Sequence, residues 1–436
     1  MRVQINPRRF SGTVRVPASK SHTIRQLLIA SLADGVSRIL YPLDSLDTRS
    51  CVSACEAFGA EIGEFREGEE LTKWEIKGNG GFRRKGVSPN ALIDVGNSGT
   101  TLYLALAAAG LQPETVRFTG DEQIQKRSAS PLLDALAGLG VQCCGNNGRV
   151  PITVKGPMRG GKVSLSCPTS QYLSALLIAC PLAPNGTRTE IEVPLLNEKP
   201  YIEMTLSYLK AHGIPFEAAA DFSGFVIPGG SSWKAFSSSV PADFSSAAFP
   251  AAAAAISGGQ VTLLGLDPED TQGDKFFFEI LEKMGCGVEW GCGDSGKTLK
   301  ISRDGPLHGG TFDLNATPDL LPAAAAVAAY VIGDTALVNV AHARIKETDR
   351  IAVMAEELAK LGVRCTERPD GLVVHGTGAL SPARENPVID GRGDHRIVMA
   401  FAAAALASPN PVEITSAESA AVTYPQFLTL LGALET

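Results

Sequence analysis

Six strong cations, Lys20, Arg25, Arg127, Lys346, Arg350 and Arg396, stand near turns whose composition predicts a helix start. The densest group is Ala343-Arg344-Ile345-Lys346-Glu347-Thr348-Asp349-Arg350, which alternates cations with carboxylates just ahead of the apolar-periodic run Ile351, Met354, Leu358, Leu361. A helix beginning near Thr348 or Asp349 puts free backbone N–H groups and a positive dipole end beside Lys346 and Arg350, which suits an anion. Glu347, between the two cations, can stay ionised and still exchange a proton with something bound there. Taken alone, the octamer reads more simply as a charged helix start with an i,i+3 pair between Glu347 and Arg350.

The rest of the chain shifts that balance, because the same helix start recurs. A small or polar cluster opens an Ala/Leu-rich helix, a Gly- or Pro-containing turn ends it, and a β-branched strand follows. The openings are Ala18-Ser19-Lys20-Ser21, Gly96-Asn97-Ser98-Gly99-Thr100-Thr101, Pro168-Thr169-Ser170-Gln171, Asp243-Phe244-Ser245-Ser246, Thr317-Pro318-Asp319 and Gly393-Asp394-His395-Arg396. They return about every 75 residues. Between them lie second helices, expected at Ser50–Phe58, Pro131–Leu139, Ile202–His212, Lys275–Met284 and Ile351–Leu361. Each period is therefore a compact mixed α/β module.

Six modules divide three and three. The stretch Pro228-Gly229-Gly230-Ser231-Ser232 with Ser237-Ser238-Ser239 is the most linker-like in the chain. The expected lobes are residues 21–240, and residues 1–20 with 241–436, with hinges near Lys20 and Val240.

Composition bounds the ligand. The 436 residues are 44% hydrophobic with a formal charge of −7, and the mean hydropathy is +0.08. That allows a large core and argues against a nucleic-acid binder or a membrane-surface protein. Six cations gathered at helix starts in a net-acidic chain fit a small phosphorylated and carboxylated molecule better than a polymer. Nine cysteines without a C-x-x-C pair read as reduced structural thiols of a cytoplasmic protein. Six histidines never fall at metal-ligand spacing, so no metal is implied. The start carries no secretory pattern. The most apolar run, Leu320 to Ile332, is too short for a bilayer span and reads as a buried helix.

Singly, each motif has a plainer reading. Gly96 to Thr100 and Thr169-Ser170-Gln171 are ordinary helix caps, Asp319 is an acid at a helix start, and His22 and His395 are satisfied supporting groups. Together and in this order they resemble the EPSP synthase (3-phosphoshikimate 1-carboxyvinyltransferase) family of enolpyruvyl transferases. Further motifs carry the likeness: Lys199-Pro200-Tyr201, Arg344 through Arg350, and Tyr424-Pro425.

The resemblance implies an α/β fold of two domains, each an inside-out barrel of three βαβαββ repeats. It implies transfer of the enolpyruvyl group of phosphoenolpyruvate to the 5-hydroxyl of shikimate 3-phosphate in the shikimate pathway. Lys20, Asp319 and Glu347 would be catalytic, with Asp319 acting on the hydroxyl and Glu347 and Lys20 moving the proton at the enol methylene carbon. Lys20, Ser21, Arg25, Thr169, Ser170, Gln171, Tyr201, Asp319 and Lys346 would hold shikimate 3-phosphate. Lys20, Asn97, Gly99, Arg127, Gln171, Arg350 and Arg396 would hold phosphoenolpyruvate. No metal or organic cofactor is implied, and the expected state is a cytoplasmic monomer.

Four positions depart from the family's commonest pattern. Glu198 stands where many members have a serine against the substrate phosphate, and a carboxylate there would repel that phosphate unless turned away. Val422 stands in place of a lysine for phosphoenolpyruvate, His342 in place of an asparagine, and Tyr103 in place of an arginine. Two rival readings remain. The sister transferase acting on UDP-N-acetylglucosamine would use a loop cysteine, and none lies near Lys126-Arg127-Ser128. A non-catalytic polyanion binder would have no need of the acids Asp319 and Glu347.

Overall fold

The computed structural model describes residues 1–82, 86–88, 91–293, 296–382 and 384–433. The chain divides into two compact units, Ala18–Val240, and Met1–Pro17 with Pro241–Thr436. Each has its own hydrophobic core.

Two kinds of helix alternate along the chain. In Ala18–Val240 they are α1 (Lys20–Leu32), α2 (Leu46–Ala57), α3 (Gly99–Ala109), α4 (Ser130–Gly138), α5 (Gln171–Ala179) and α6 (Lys199–Ala211). In the other unit they are α7 (Phe244–Ser257), α8 (Phe276–Met284), α9 (Leu321–Ala328), α10 (Arg350–Lys360), α11 (His395–Ala405) and α12 (Phe427–Ala433). The Ala-rich helices α3, α9 and α11 are buried on every side, and α1, α5 and α7 nearly so. A helix apolar all round has no face to give to water, so it belongs in the middle. Small side chains then let these helices approach closely: α7, α9 and α11 pack on one another, and α3 packs on both α1 and α5. The second helices bury one stripe only. In α10 that stripe is Ile351, Val353, Met354 and Leu358, together with Arg350 and Glu357.

Sheets surround the inner helices. In Ala18–Val240 the strand orders are Ser237–Ser239, Val36–Leu40, Glu70–Lys77, Glu61–Glu67; then Ala91–Asp94, Val116–Thr119, Arg149–Lys155, Gln142–Asn146; then Gly161–Ser164, Arg188–Glu192, Gly224–Pro228, Glu217–Ala218. In all three the first pair is parallel and the others antiparallel. The other unit repeats the rule with Gly12–Arg15 beside Gln260–Leu264, Leu307–His308 beside Val331–Val338, and Val388–Ile389 beside Val412–Thr415. Its last sheet has three strands, closed by the antiparallel strand Arg2–Ile5.

Two expectations need correction. The apolar run from Leu320 is helical only to Ala328, and Val331 already begins a strand whose Thr335 and Leu337 face inward. The Ser-rich stretch before Val240 is no free linker. Ser237–Ser239 pairs in parallel with Arg38–Leu40 through backbone groups, which need no particular side chain. Just upstream, the fully buried Trp233 donates its indole N–H to Ile178 O at 3.1 Å.

Candidate active site

In the unit Met1–Pro17 with Pro241–Thr436, the starts of α7, α9, α10 and α11 bring acids and guanidinium groups together. Asp349 caps α10 by accepting from the Ala352 N–H at 3.0 Å, and Asp394 caps α11 through the Arg396 N–H at 2.9 Å. Those caps fix Arg350 and Arg396 in the first turns, where their side chains meet Asp319 on the short turn Pro318–Leu320 ahead of α9.

The Arg350 side chain is 0% exposed and engages three carboxylates. Nη1 donates to Asp319 Oδ1 at 2.7 Å, Nη2 to Glu347 Oε2 at 2.6 Å, and Nε to Asp394 Oδ2 at 2.9 Å. Arg396 Nη2 donates to the other oxygen of Asp319 at 2.9 Å. Burial works to raise the Asp319 carboxyl, but Arg396, Lys346 and Arg350 outweigh it and hold the group well below its ordinary range. Burial likewise opposes the charge on Arg350, and Asp394, Glu347 and Asp319 more than restore it. Asp319 is thus an ionised carboxylate between two guanidinium groups.

Asp274 lies behind this cluster, 1% exposed. The Ser245 hydroxyl donates to its Oδ2. Burial and then the charge of Asp319 push it up to about 7, against the pull of Arg396.

In the unit Ala18–Val240 the starts of α1, α3 and α5 carry the remaining candidates. Lys20 is the first residue of α1, and its Nζ lies 3.1 Å from Asp47 Oδ2. Asn97 Oδ1 accepts from Arg127 Nη2 at 3.1 Å, and its Nδ2 donates to Asp121 Oδ2 at 2.9 Å. Gly99 opens α3, and a Cβ there would lie 2.8 Å from Arg127 Nη1 and 3.8 Å from Gln171 Oε1. Glycine is thus what lets Arg127 lie across the start of α3. Gln171 opens α5, and its buried Oε1 has no hydrogen-bond partner among the described residues. Thr169 and Ser170 precede it, and both hydrogen-bond Glu198.

Arg25 is 1% exposed. It donates to Thr205 Oγ1 (2.9 Å), Ser174 Oγ (3.1 Å), Ser21 O (3.1 Å) and Tyr201 O (3.3 Å), so it ties α1 to α5 and α6. Burial lowers it to about 10, with Tyr208, Tyr201 and Glu198 opposing. Its expected neighbours Ser21 and Tyr201 are thus joined to it through their backbone carbonyls.

The departing positions have local explanations. Tyr103 is buried edge-on against Tyr172, with ring centroids 4.9 Å apart, in the α3–α5 contact. His342 Nε2 lies 3.1 Å from Asn315 O. Val422 is half-buried at the end of the turn Ala417–Val422. Three residues beyond those expected also belong to the clusters: Asp47, Asp274, and Asp394 as the partner of Arg350. Their signal was modest. Asp47 is a single acid in the first turn of α2 and Asp274 one just ahead of α8, and Asp394 reads simply as a cap.

The family model for EPSP synthase (3-phosphoshikimate 1-carboxyvinyltransferase) matches residues 5–431. The chain belongs to the EPSP synthase family. A relative from Acetivibrio thermocellus named 3-phosphoshikimate 1-carboxyvinyltransferase is 44% identical over 434 residues, covering 99% of this chain and 98% of that protein. One of the same name from Methanothrix thermoacetophila is 43% identical, covering 98% and 96%. The solved structure of EPSP synthase from Acinetobacter baumannii superposes with a TM-score of 0.79 at 28% identity, covering 99% and 98%. The fold is the family's two-domain inside-out α/β architecture, with helices inside and sheets outside in each unit. No helix among the described residues is long and apolar enough to cross a membrane.

Proposed function

We propose that this chain transfers the enolpyruvyl group of phosphoenolpyruvate to the 5-hydroxyl of shikimate 3-phosphate and releases phosphate, the reaction for which its family is named. The observation that carries the residue assignment is the Asp319 carboxylate held between Arg350 and Arg396 beside Glu347. One anionic base among cations is what a reaction between a hydroxyl and a phosphorylated, carboxylated partner calls for.

In this reading Lys20, Arg127, Arg350 and Arg396 hold the phosphate and carboxylate of phosphoenolpyruvate, with Asn97, Gly99 and Gln171 beside them. As the substrate's anions draw Arg350 and Arg396, Asp319 is released to take the proton of the 5-hydroxyl. The oxygen attacks C2 of phosphoenolpyruvate while Glu347 and Lys20 deliver a proton to C3, giving a tetrahedral adduct. Loss of phosphate and return of a C3 proton to the protein restore the double bond. Ser21, Thr169, Ser170, Gln171, Tyr201 and Lys346 hold shikimate 3-phosphate, and Arg25 braces the helices that present them. No cofactor is called for, and the nine free thiols suit a cytoplasmic protein.

The test is phosphate release from phosphoenolpyruvate with shikimate 3-phosphate, with UDP-N-acetylglucosamine, and with no acceptor. Release with shikimate 3-phosphate alone supports the reading. Release with the nucleotide sugar moves it to the sister reaction, and no release with either leaves a binding protein.

A further inference from the structure

Glu198 precedes α6 in a left-handed backbone conformation, with φ of 59°. A glutamate holds that conformation only where its surroundings favour it. Its side chain is 2% exposed and does not cap its own helix. It crosses to the start of α5, where one oxygen, Oε2, accepts from Ser170 Oγ at 2.8 Å, the Ser170 N–H at 2.9 Å and Thr169 Oγ1 at 3.1 Å. Two hydroxyls and a backbone N–H at a helix N-terminus form a donor set for one oxygen of a phosphate, sulfate or carboxylate. The chain fills that set with an anion of its own.

Thr169 and Ser170 are also among the residues read above as holding shikimate 3-phosphate, and the inference rests on that reading. Three donors converging on one oxygen cannot serve a second anion at the same time. A carboxylate left within hydrogen-bonding distance of a phosphate would repel it. We propose that Glu198 sets acceptor affinity by occupying the anion seat at the start of α5, and that the acceptor binds by displacing this carboxylate. Displacement is a rotation about the glutamate's side-chain bonds that withdraws the oxygen. Binding then costs the three hydrogen bonds that Glu198 gives up, and the cost falls on phosphorylated acceptors, not on phosphoenolpyruvate.

The experiment compares wild type with Glu198→Ser and Glu198→Gln. It reads KM for each substrate, and calorimetric binding of inorganic sulfate as a probe of the seat. Glu198→Ser is expected to lower KM for shikimate 3-phosphate by about tenfold, the scale of one charge-assisted contact, to tighten sulfate binding in parallel, and to leave KM for phosphoenolpyruvate unchanged. Glu198→Gln keeps the size and an acceptor but lacks the charge, so it falls between; it carries the test if the serine variant does not fold. Unchanged or raised KM for shikimate 3-phosphate in the folded variants, with sulfate binding no tighter, overturns the proposal and makes Glu198 a brace between α5 and α6. If no form turns over shikimate 3-phosphate, the functional reading fails separately. Sulfate binding then decides this one alone, with tighter binding in the variants supporting it and equal or weaker binding overturning it.

Discussion

Arg350 Nη1 and Asp319 Oδ1 lie 2.7 Å apart, with the guanidinium fully buried and the carboxylate partly exposed. In the proposed reaction this pair would let one residue hold substrate and hold back the base at once, a ligand anion that competes for Arg350 loosening Asp319 when the base is needed.

Because Arg350 also serves Glu347 and Asp394, Arg350→Ala leaves three carboxylates without their shared cation. Removing one partner of a buried ion pair costs about 3–5 kcal/mol. Urea denaturation should show a loss of that size, while Arg350→Lys, which cannot reach all three acids in a fork, should fall between.

Asp319→Asn keeps the shape and one acceptor oxygen but removes the charge and the second acceptor that Arg350 and Arg396 share. We expect kcat to fall by roughly 10²–10⁴, the range of one general base, with a smaller change in KM for shikimate 3-phosphate. Steady-state phosphate release checks both.

Gly99→Ala places a methyl 2.8 Å from Arg127 Nη1. The contact is with the far end of a flexible side chain, so the fold survives and Arg127 moves. KM for phosphoenolpyruvate should rise by about tenfold, the value of one guanidinium–anion contact, while KM for shikimate 3-phosphate stays within about twofold on the same scale. An unchanged KM for phosphoenolpyruvate would remove Arg127 from its binding.

Asp274 gives a pH signature of unusual sign. Its carboxyl titrates at about 7 in the folded protein and near 3.9 unfolded. Its contribution is therefore fully present below the unfolded value and is lost as pH rises through 7. Asp274→Asn stays neutral, so its melting temperature relative to wild type should climb between pH 5 and pH 8. Asp394 works the other way. Burial would raise it, Arg350 keeps it below the ordinary range, and its contribution is lost as pH falls into the acid region. A flat difference for Asp274→Asn would show that the acid is already ionised at pH 5.

Much of the fold was legible because the repeat is periodic. The openings at Lys20, Gly99, Gln171, Phe244 and His395 are where inner helices begin, and the second helices start within a few residues of their expected positions. The Pro318-Asp319 opening is a short turn ahead of α9 instead. Composition misled at Ser237–Ser239, since strand pairing through the backbone leaves no mark on a serine run. It misled again after Ala328, where an Ala/Val run continues apolar while its period changes from helix to strand.

At the site, residues that carry charge into helix starts were visible as types. What each charge meets was not. Glu198 and Asp47 are remote in sequence from Ser170 and Lys20, and the four bonds that tie Arg25 to Thr205, Ser174, Ser21 and Tyr201 leave no mark in its motif.

In the proposed reaction Glu347 and Lys20 run a proton cycle on C3 of phosphoenolpyruvate while Asp319 takes the hydroxyl proton. The most direct measurement is NMR of the products formed in D₂O from phosphoenolpyruvate and shikimate 3-phosphate. Deuterium is expected in the vinylic methylene of the enolpyruvyl product, because C3 gains a solvent proton and then loses one, and Glu347→Gln should sharply slow that incorporation. Product whose methylene carries no deuterium, or phosphate released from phosphoenolpyruvate equally well without the acceptor, would contradict the proposed reaction.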